Sequence, residues 1–199
     1  RNASPIPKAD YDEAAKADLR KHYLKGQKQL LVFFGFVYPN KGVELLFEMA
    51  DPALSQIVIA GAIVEDSDYH KKIIRLASSA PWSGKVSVTG FLPSGDIATL
   101  LAIADAVILP YRTGGGEWNT SIHAAVLQGT FVITTTSNAK GYDEKHNVFY
   151  AKVDDVQEMK TALHLYAGRR RQYDADIDRD EWQQIADKHR LLYERIVSE

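Results

Sequence analysis

A lysine and a run of three glycines hold most of the chemical potential of this sequence. Lys41 closes the stretch Gly35-Phe36-Val37-Tyr38-Pro39-Asn40-Lys41-Gly42, after one apolar run and before a helical one. An ammonium group at a helix start can pair with a phosphate; a solvated turn lysine reads this segment equally well. The spacing is neither that of a P-loop nor the dinucleotide fingerprint G-x-G-x-x-G. The second stretch runs Tyr111-Arg112-Thr113-Gly114-Gly115-Gly116-Glu117-Trp118-Asn119-Thr120-Ser121 and enters a helical pattern that Gly129 ends. Gly114, Gly115 and Gly116 remove side chains, so a ligand can approach the backbone. Asn119, Thr120 or Ser121 can cap the helix, or leave its amides to an anion at the positive end of the helix dipole. Arg112 offers a guanidinium fork to a phosphate, or is a surface arginine. The chemistry these residues suggest is binding of a diphosphate.

These residues need a scaffold that brings two turns together. Apolar runs at 30–34, 56–60, 86–89, 106–109, 131–134 and 148–150 read as five to six strands. They lack alternation, as expected of strands buried on both faces. Between them lie helical patterns at 10–23, 43–49, 68–79, the segment that Ser94 can cap, and the one after Asn119. A long amphipathic helix is predicted over 154–173 and another over 181–197, the latter with Trp182, Ile185, Leu192, Tyr193 and Ile196 as apolar positions. Strands alternating with helices predict an α/β, Rossmann-like three-layer domain with a parallel sheet and right-handed crossovers. In such sheets, ligands sit at the C-terminal ends of the strands. The whole chain, residues 1–199, reads as a single domain, with 180–199 a C-terminal helix.

Composition narrows the function classes. The 199 residues are 45% apolar and 25% charged, a globular balance, and the net charge of −2 gives no electrostatic case for nucleic acid. There is no cysteine, hence no disulfide, thiolate metal site or cysteine nucleophile. No apolar run approaches the ~20 residues of a membrane span. The start Arg1-Asn2-Ala3-Ser4-Pro5 has no initiator methionine and suggests a piece of a longer chain.

Gly35…Lys41-Gly42, Val86-Ser87-Val88-Thr89-Gly90-Phe91-Leu92, Ala104-Asp105-Ala106-Val107-Ile108-Leu109-Pro110 and the run from Ala124 to Thr135 follow one another in order. Together they resemble the C-terminal, donor-binding domain of a group 1 (family 4) glycosyltransferase of the GT-B fold, over almost the whole chain. The resemblance implies one half of a GT-B enzyme, binding a nucleotide-diphosphate sugar without a cofactor or metal. The acceptor, a glycan or lipid, would be held by an N-terminal domain absent from this sequence. It also implies a cytoplasmic protein, peripheral to the membrane at most. Gly35, Lys41, Arg112, Gly114, Gly115, Gly116, Glu117, Asn119, Thr120 and Ser121 become candidates for the diphosphate and sugar, and Phe91, Leu92 and His123 for the nucleoside. The family's arginine after the first glycine is Phe36 here, and its two glutamates fall at Gly116 and Ala124. Alternatives are a nucleotide-binding or interaction module without activity, and a GT-B type sugar-nucleotide epimerase.

The remaining motifs read more simply. Asp66-Ser67-Asp68 matches the D-x-D metal motif of a different glycosyltransferase fold, but also a plain helix start. His70, His123, His146 and His164 have no metal-ligand spacing. Arg169-Arg170-Arg171 suits the negative end of the helix before it.

Overall fold

The computed structural model describes residues 4–10, 12–62, 67–116, 119–138, 140–172 and 181–197. Chain order is α1 (Glu13–Leu24), β1 (Gln29–Phe34), a 3-10 turn (Pro39–Lys41), α2 (Leu45–Met49), β2 (Ser55–Ala60), α3 (Asp68–Ser78), β3 (Val86–Gly90) and α4 (Ser94–Ile103). Then come β4 (Ala106–Leu109), α5 (Thr120–Leu127), β5 (Val132–Thr136), β6 (Gly141–Asp143), β7 (Val148–Lys152), α6 (Val156–Tyr166) and α7 (Glu181–Val197).

The strands form one sheet of order β3-β2-β1-β4-β5-β7-β6. All neighbours are parallel except β6, which pairs antiparallel with β7. Its central strands are apolar because both faces are covered: Leu30 to Phe33, Ile57 to Ala60 and Ala106 to Leu109 are fully buried. α1, α4 and α5 pack on one face; α2 and α6 pack together on the other, where α3 bonds to α2. This is the expected three-layer Rossmann-like architecture.

The strand order reverses between β1 and β4. From β1 the chain winds outward through β2 to β3, then returns to β4 and winds the other way. The loops leaving β1 and β4 therefore diverge and open a crevice, the position where ligands bind in such sheets. The two stretches singled out by their chemistry are those two loops.

Three expectations are corrected. β6 adds an antiparallel edge strand that a purely parallel sheet does not include. The helix predicted over 154–173 ends at Tyr166, because Ala167-Gly168 turns the chain, Gly168 adopting φ +83 and donating to the Asp105 carbonyl. Ser94 does not cap α4: it is the first helical residue, and Pro93 holds the cap position without a side-chain bond. In α7 the apolar positions Leu192, Tyr193 and Ile196 are exposed.

Candidate functional site

The crevice is a cavity of about 520 Å³ at the switch between β1 and β4. Gly35, Phe36 and Lys41 line it from the β1 loop, Phe91, Leu92 and Ser94 from the β3 loop, and Tyr111, Asn119, Thr120 and Ser121 from the β4 loop and α5. Pro5 and Ile6 of the lead-in also face it. Seven predicted diphosphate or nucleoside residues thus meet in one place: Gly35, Lys41, Phe91, Leu92, Asn119, Thr120 and Ser121.

Glycines let the loops touch. Gly35 stands at φ +140, and a Cβ there would lie 3.6 Å from Ser121 Oγ, so the β1 loop abuts the start of α5. Gly42 has φ +65, and its Cβ would fall 2.2 Å from the Pro110 carbonyl oxygen. This glycine is required both by its left-handed backbone and by the close approach of the β4 loop. The Arg112 amide also donates to the Asn40 carbonyl at 3.0 Å.

Lys41 holds its Nζ 4.6 Å from the centroid of the Tyr111 ring, at the cavity wall. Tyr111 is buried and donates its hydroxyl to Asn119 Oδ1 at 3.2 Å. Burial pushes the Tyr111 phenol up, partly offset by hydrogen bonds with Asn119 and Ser121, so it stays a neutral donor at physiological pH. Tyr111 lies within the singled-out stretch, yet nothing in its position predicted that it would carry the lysine on one side and the cap on the other.

The start of α5 is partly occupied. Asn119 Oδ1 accepts the amides of Ser121 at 3.1 Å and Ile122 at 3.2 Å. The His123 amide goes to the Asn119 carbonyl. Among the described residues the Thr120 amide has no acceptor, so it is the first-turn donor left for a ligand, with the Thr120 and Ser121 hydroxyls beside it. The reading in which the cap residues leave the helix amides free holds for that amide only.

The glycine run has a different purpose from the one expected. Gly114 adopts φ +80 and closes a turn onto the Tyr111 carbonyl. At Gly115 a Cβ would lie 2.4 Å from Thr134 Oγ1 and 2.9 Å from Ile122 Cδ1, so protein packing forbids a side chain. Only Gly116 opens onto empty space. Gly115→Ala should therefore cost about 1–3 kcal/mol, while Gly116→Ala should stay within about 0.5 kcal/mol. Urea denaturation of the two variants checks the contrast.

Four site expectations move elsewhere. Gly115, Gly116 and His123 line a second cavity of about 550 Å³ with Lys140, Asp143 and His146, beside the sheet face next to α5. His123 is thereby separated from Phe91 and Leu92. Arg112 does not offer a phosphate fork: its guanidinium bonds Glu44 Oε1 at 3.0 Å and Asp154 Oδ1 at 2.5 Å. Glu117 lies outside the described residues, as does Asp66 of the D-x-D motif. In that motif Ser67 caps α3 by accepting the His70 amide at 3.1 Å. Ala124, where the family places a glutamate, is fully buried. Among the described residues no group of three or more His, Cys, Asp or Glu could hold a metal ion, and no helix is long and apolar enough to cross a membrane.

Residues 28–167 match the family model of the glycosyl transferases group 1. A GDP-mannose-dependent alpha-(1-6)-phosphatidylinositol monomannoside mannosyltransferase of Mycobacterium tuberculosis is 28% identical over 154 residues, covering 76% of this chain and 38% of that enzyme. An alpha-D-kanosaminyltransferase of Streptomyces kanamyceticus is 28% identical over 105 residues, covering 50% of this chain and 26% of its own length. The chain thus spans well under half the length of these relatives. Among solved structures, Anabaena HepE in complex with UDP-glucose superposes with a TM-score of 0.66 at 18% identity, over 77% of this chain and 43% of that one. The sucrose-phosphate synthase of Thermosynechococcus elongatus gives 0.74 at 16% identity, over 97% and 52%. At these identities the superpositions show the shared fold.

Proposed function

Because this chain belongs to the group 1 glycosyl transferases, we propose that its crevice binds the diphosphate of a nucleotide-activated sugar. The observation that carries this reading is the placement of the Lys41 ammonium and the start of α5 in one cavity at the topological switch point. HepE in complex with UDP-glucose supports the ligand class. Phe91 and Leu92 would take the nucleoside, and Thr120 and Ser121 the phosphate or sugar oxygens.

In the proposed reaction the bond between the anomeric carbon and the diphosphate oxygen breaks, and its electron pair stays on that oxygen. An acceptor hydroxyl forms the new bond and gives up its proton. The acceptor and its base would come from parts of the protein outside this sequence. The residues here hold the leaving diphosphate: Lys41 and the uncapped Thr120 amide stabilise the charge that develops on it from fixed positions. We infer that they replace a resident metal in this task, since among the described residues the cavity is lined by a cation and hydroxyls rather than by carboxylates.

A thermal-shift panel of UDP, GDP, ADP and dTDP with their sugars tests the reading. At least one should raise the melting temperature in proportion to ln(1 + [L]/Kd). Binding by all of them without turnover in the full-length protein would favour a nucleotide-binding module, a reading to which the buried Ala124 lends weight. No shift with any of them would end the donor-site assignment.

A further inference from the structure

A buried carboxylate lies directly behind the Lys41 turn and has no part in the proposed chemistry. Glu44 is 6% exposed. Its Oε1 accepts from Lys72 Nζ at 3.1 Å and from Arg112 Nη2 at 3.0 Å, and its Oε2 accepts from the Tyr69 hydroxyl. Tyr69 in turn accepts the Val43 amide at 2.9 Å. Arg112 continues to Asp154, which turns the chain between β7 and α6 at φ +61. Two carboxylates and two cations thus join the α2 turn, α3, the β4 loop and the β7 loop in a charge-balanced cluster.

Burying a carboxylate is costly unless it is paired and fully hydrogen-bonded. Burial raises the Glu44 carboxyl, but hydrogen bonds from Tyr69, its own backbone, Arg112 and Lys72 outweigh that and hold it below the ordinary carboxylate value. Glu44 therefore stays ionised, and Arg112 is held at its side. Arg112 is the residue whose amide bonds Asn40, next to Lys41, and it begins the turn that leads into the glycine run.

We propose that Glu44 is a positioning residue: through Arg112 it locks the Lys41 turn against the β4 loop, fixing the spacing between the ammonium and the start of α5. This rests on the reading of that crevice as the diphosphate site. It also gives Arg112 its role. The guanidinium spends its charge on the lock, and Lys41 faces the ligand.

The test separates the lock from the ligand. In Glu44→Gln and Arg112→Gln, hydrogen exchange of the amides at 40–46 and at 111–116 should both speed up about tenfold. The double variant should add little to either single change, because both cut one link. Arg112 is partly exposed, so Arg112→Gln keeps the test open if Glu44→Gln fails to fold. Unchanged exchange at 111–116 in a folded variant overturns the lock. Calorimetry with UDP, GDP, ADP and dTDP then reads function. Arg112→Gln should weaken binding about tenfold in the wild-type background and have no further effect with Lys41→Met, since it acts through the lysine. An equal loss in both backgrounds would make Arg112 a direct ligand contact and overturn the proposal, as would unchanged binding beside faster exchange. If none of these diphosphates binds wild type, the phosphate reading fails, and the exchange result alone decides the lock.

Discussion

Gly61→Ala is expected to destabilise the fold by about 3 kcal/mol or more. Gly61 follows β2 and its backbone φ is ordinary, so the cost is purely steric. A Cβ there would fall 1.8 Å from the Gly35 carbonyl oxygen and 2.7 Å from its carbon. Neither atom can yield. Gly35 is anchored by its amide to the Ala60 carbonyl at 3.0 Å, and Gly61 by its amide to the Gly90 carbonyl at 3.0 Å. The ends of β1, β2 and β3 are thus stitched together at the floor of the crevice, and a methyl group would have to pry β1 from β2. With a urea m-value of about 2 kcal/mol/M, the midpoint should fall by roughly 1.5 M. Gly95→Ala is the internal control. It lies exposed in α4 with open space around its Cβ, so alanine there should be neutral or stabilising by up to about 1 kcal/mol. A Gly61→Ala midpoint equal to wild type would mean that the β1 and β2 loops do not touch.

Gly61 and the run Gly114 to Gly116 differ in how much of their role a sequence exposes. Three glycines in a row are visible locally, but their reasons are not. Gly115 is small because Thr134 and Ile122 crowd it, and Gly61 because Gly35 does; both causes come from other elements of the fold. The strands themselves were legible because double-sided burial writes an uninterrupted apolar run, as in Leu30 to Phe33. β6 was not: three residues at a sheet edge, half exposed, leave no pattern. The end of α6 at Tyr166 has a local signal in Gly168, which turns the chain at φ +83.

The site divides in the same way. The place of Lys41 on the crevice wall was legible because the turn after a strand and before a helix lies at the C-terminal edge of such a sheet. Glu44 was not, since its partners stand at 69, 72 and 112, and only the sheet order brings them together. Arg112 was misread for that reason. Seen along the chain it precedes the glycines; in space it faces Glu44 and Asp154.

Lys41→Met should weaken binding of a nucleoside diphosphate by about 1–3 kcal/mol, the worth of a charge-assisted hydrogen bond, or roughly 5- to 150-fold in Kd. Methionine keeps an unbranched apolar stem of nearly the same length, so the loss is that of the charge, its contact with the Tyr111 ring included. It should leave the fold largely intact, because Lys41 is half-exposed and, among the described residues, its ammonium makes one contact, with that ring. Two features set the size of the effect. Arg112 is neutralised by Glu44 and Asp154 and cannot substitute. Asn119 already fills two of the α5 amides, leaving the dipole end and the Thr120 amide as the remaining attraction for phosphate. Calorimetry with the diphosphate that gives the largest thermal shift supplies both affinities. The salt dependence should flatten as well, since the variant has lost an ionic contact screened by salt. An unchanged Kd with an unchanged salt slope would remove Lys41 from the site, and the crevice would then have to hold its ligand by hydroxyls and backbone alone.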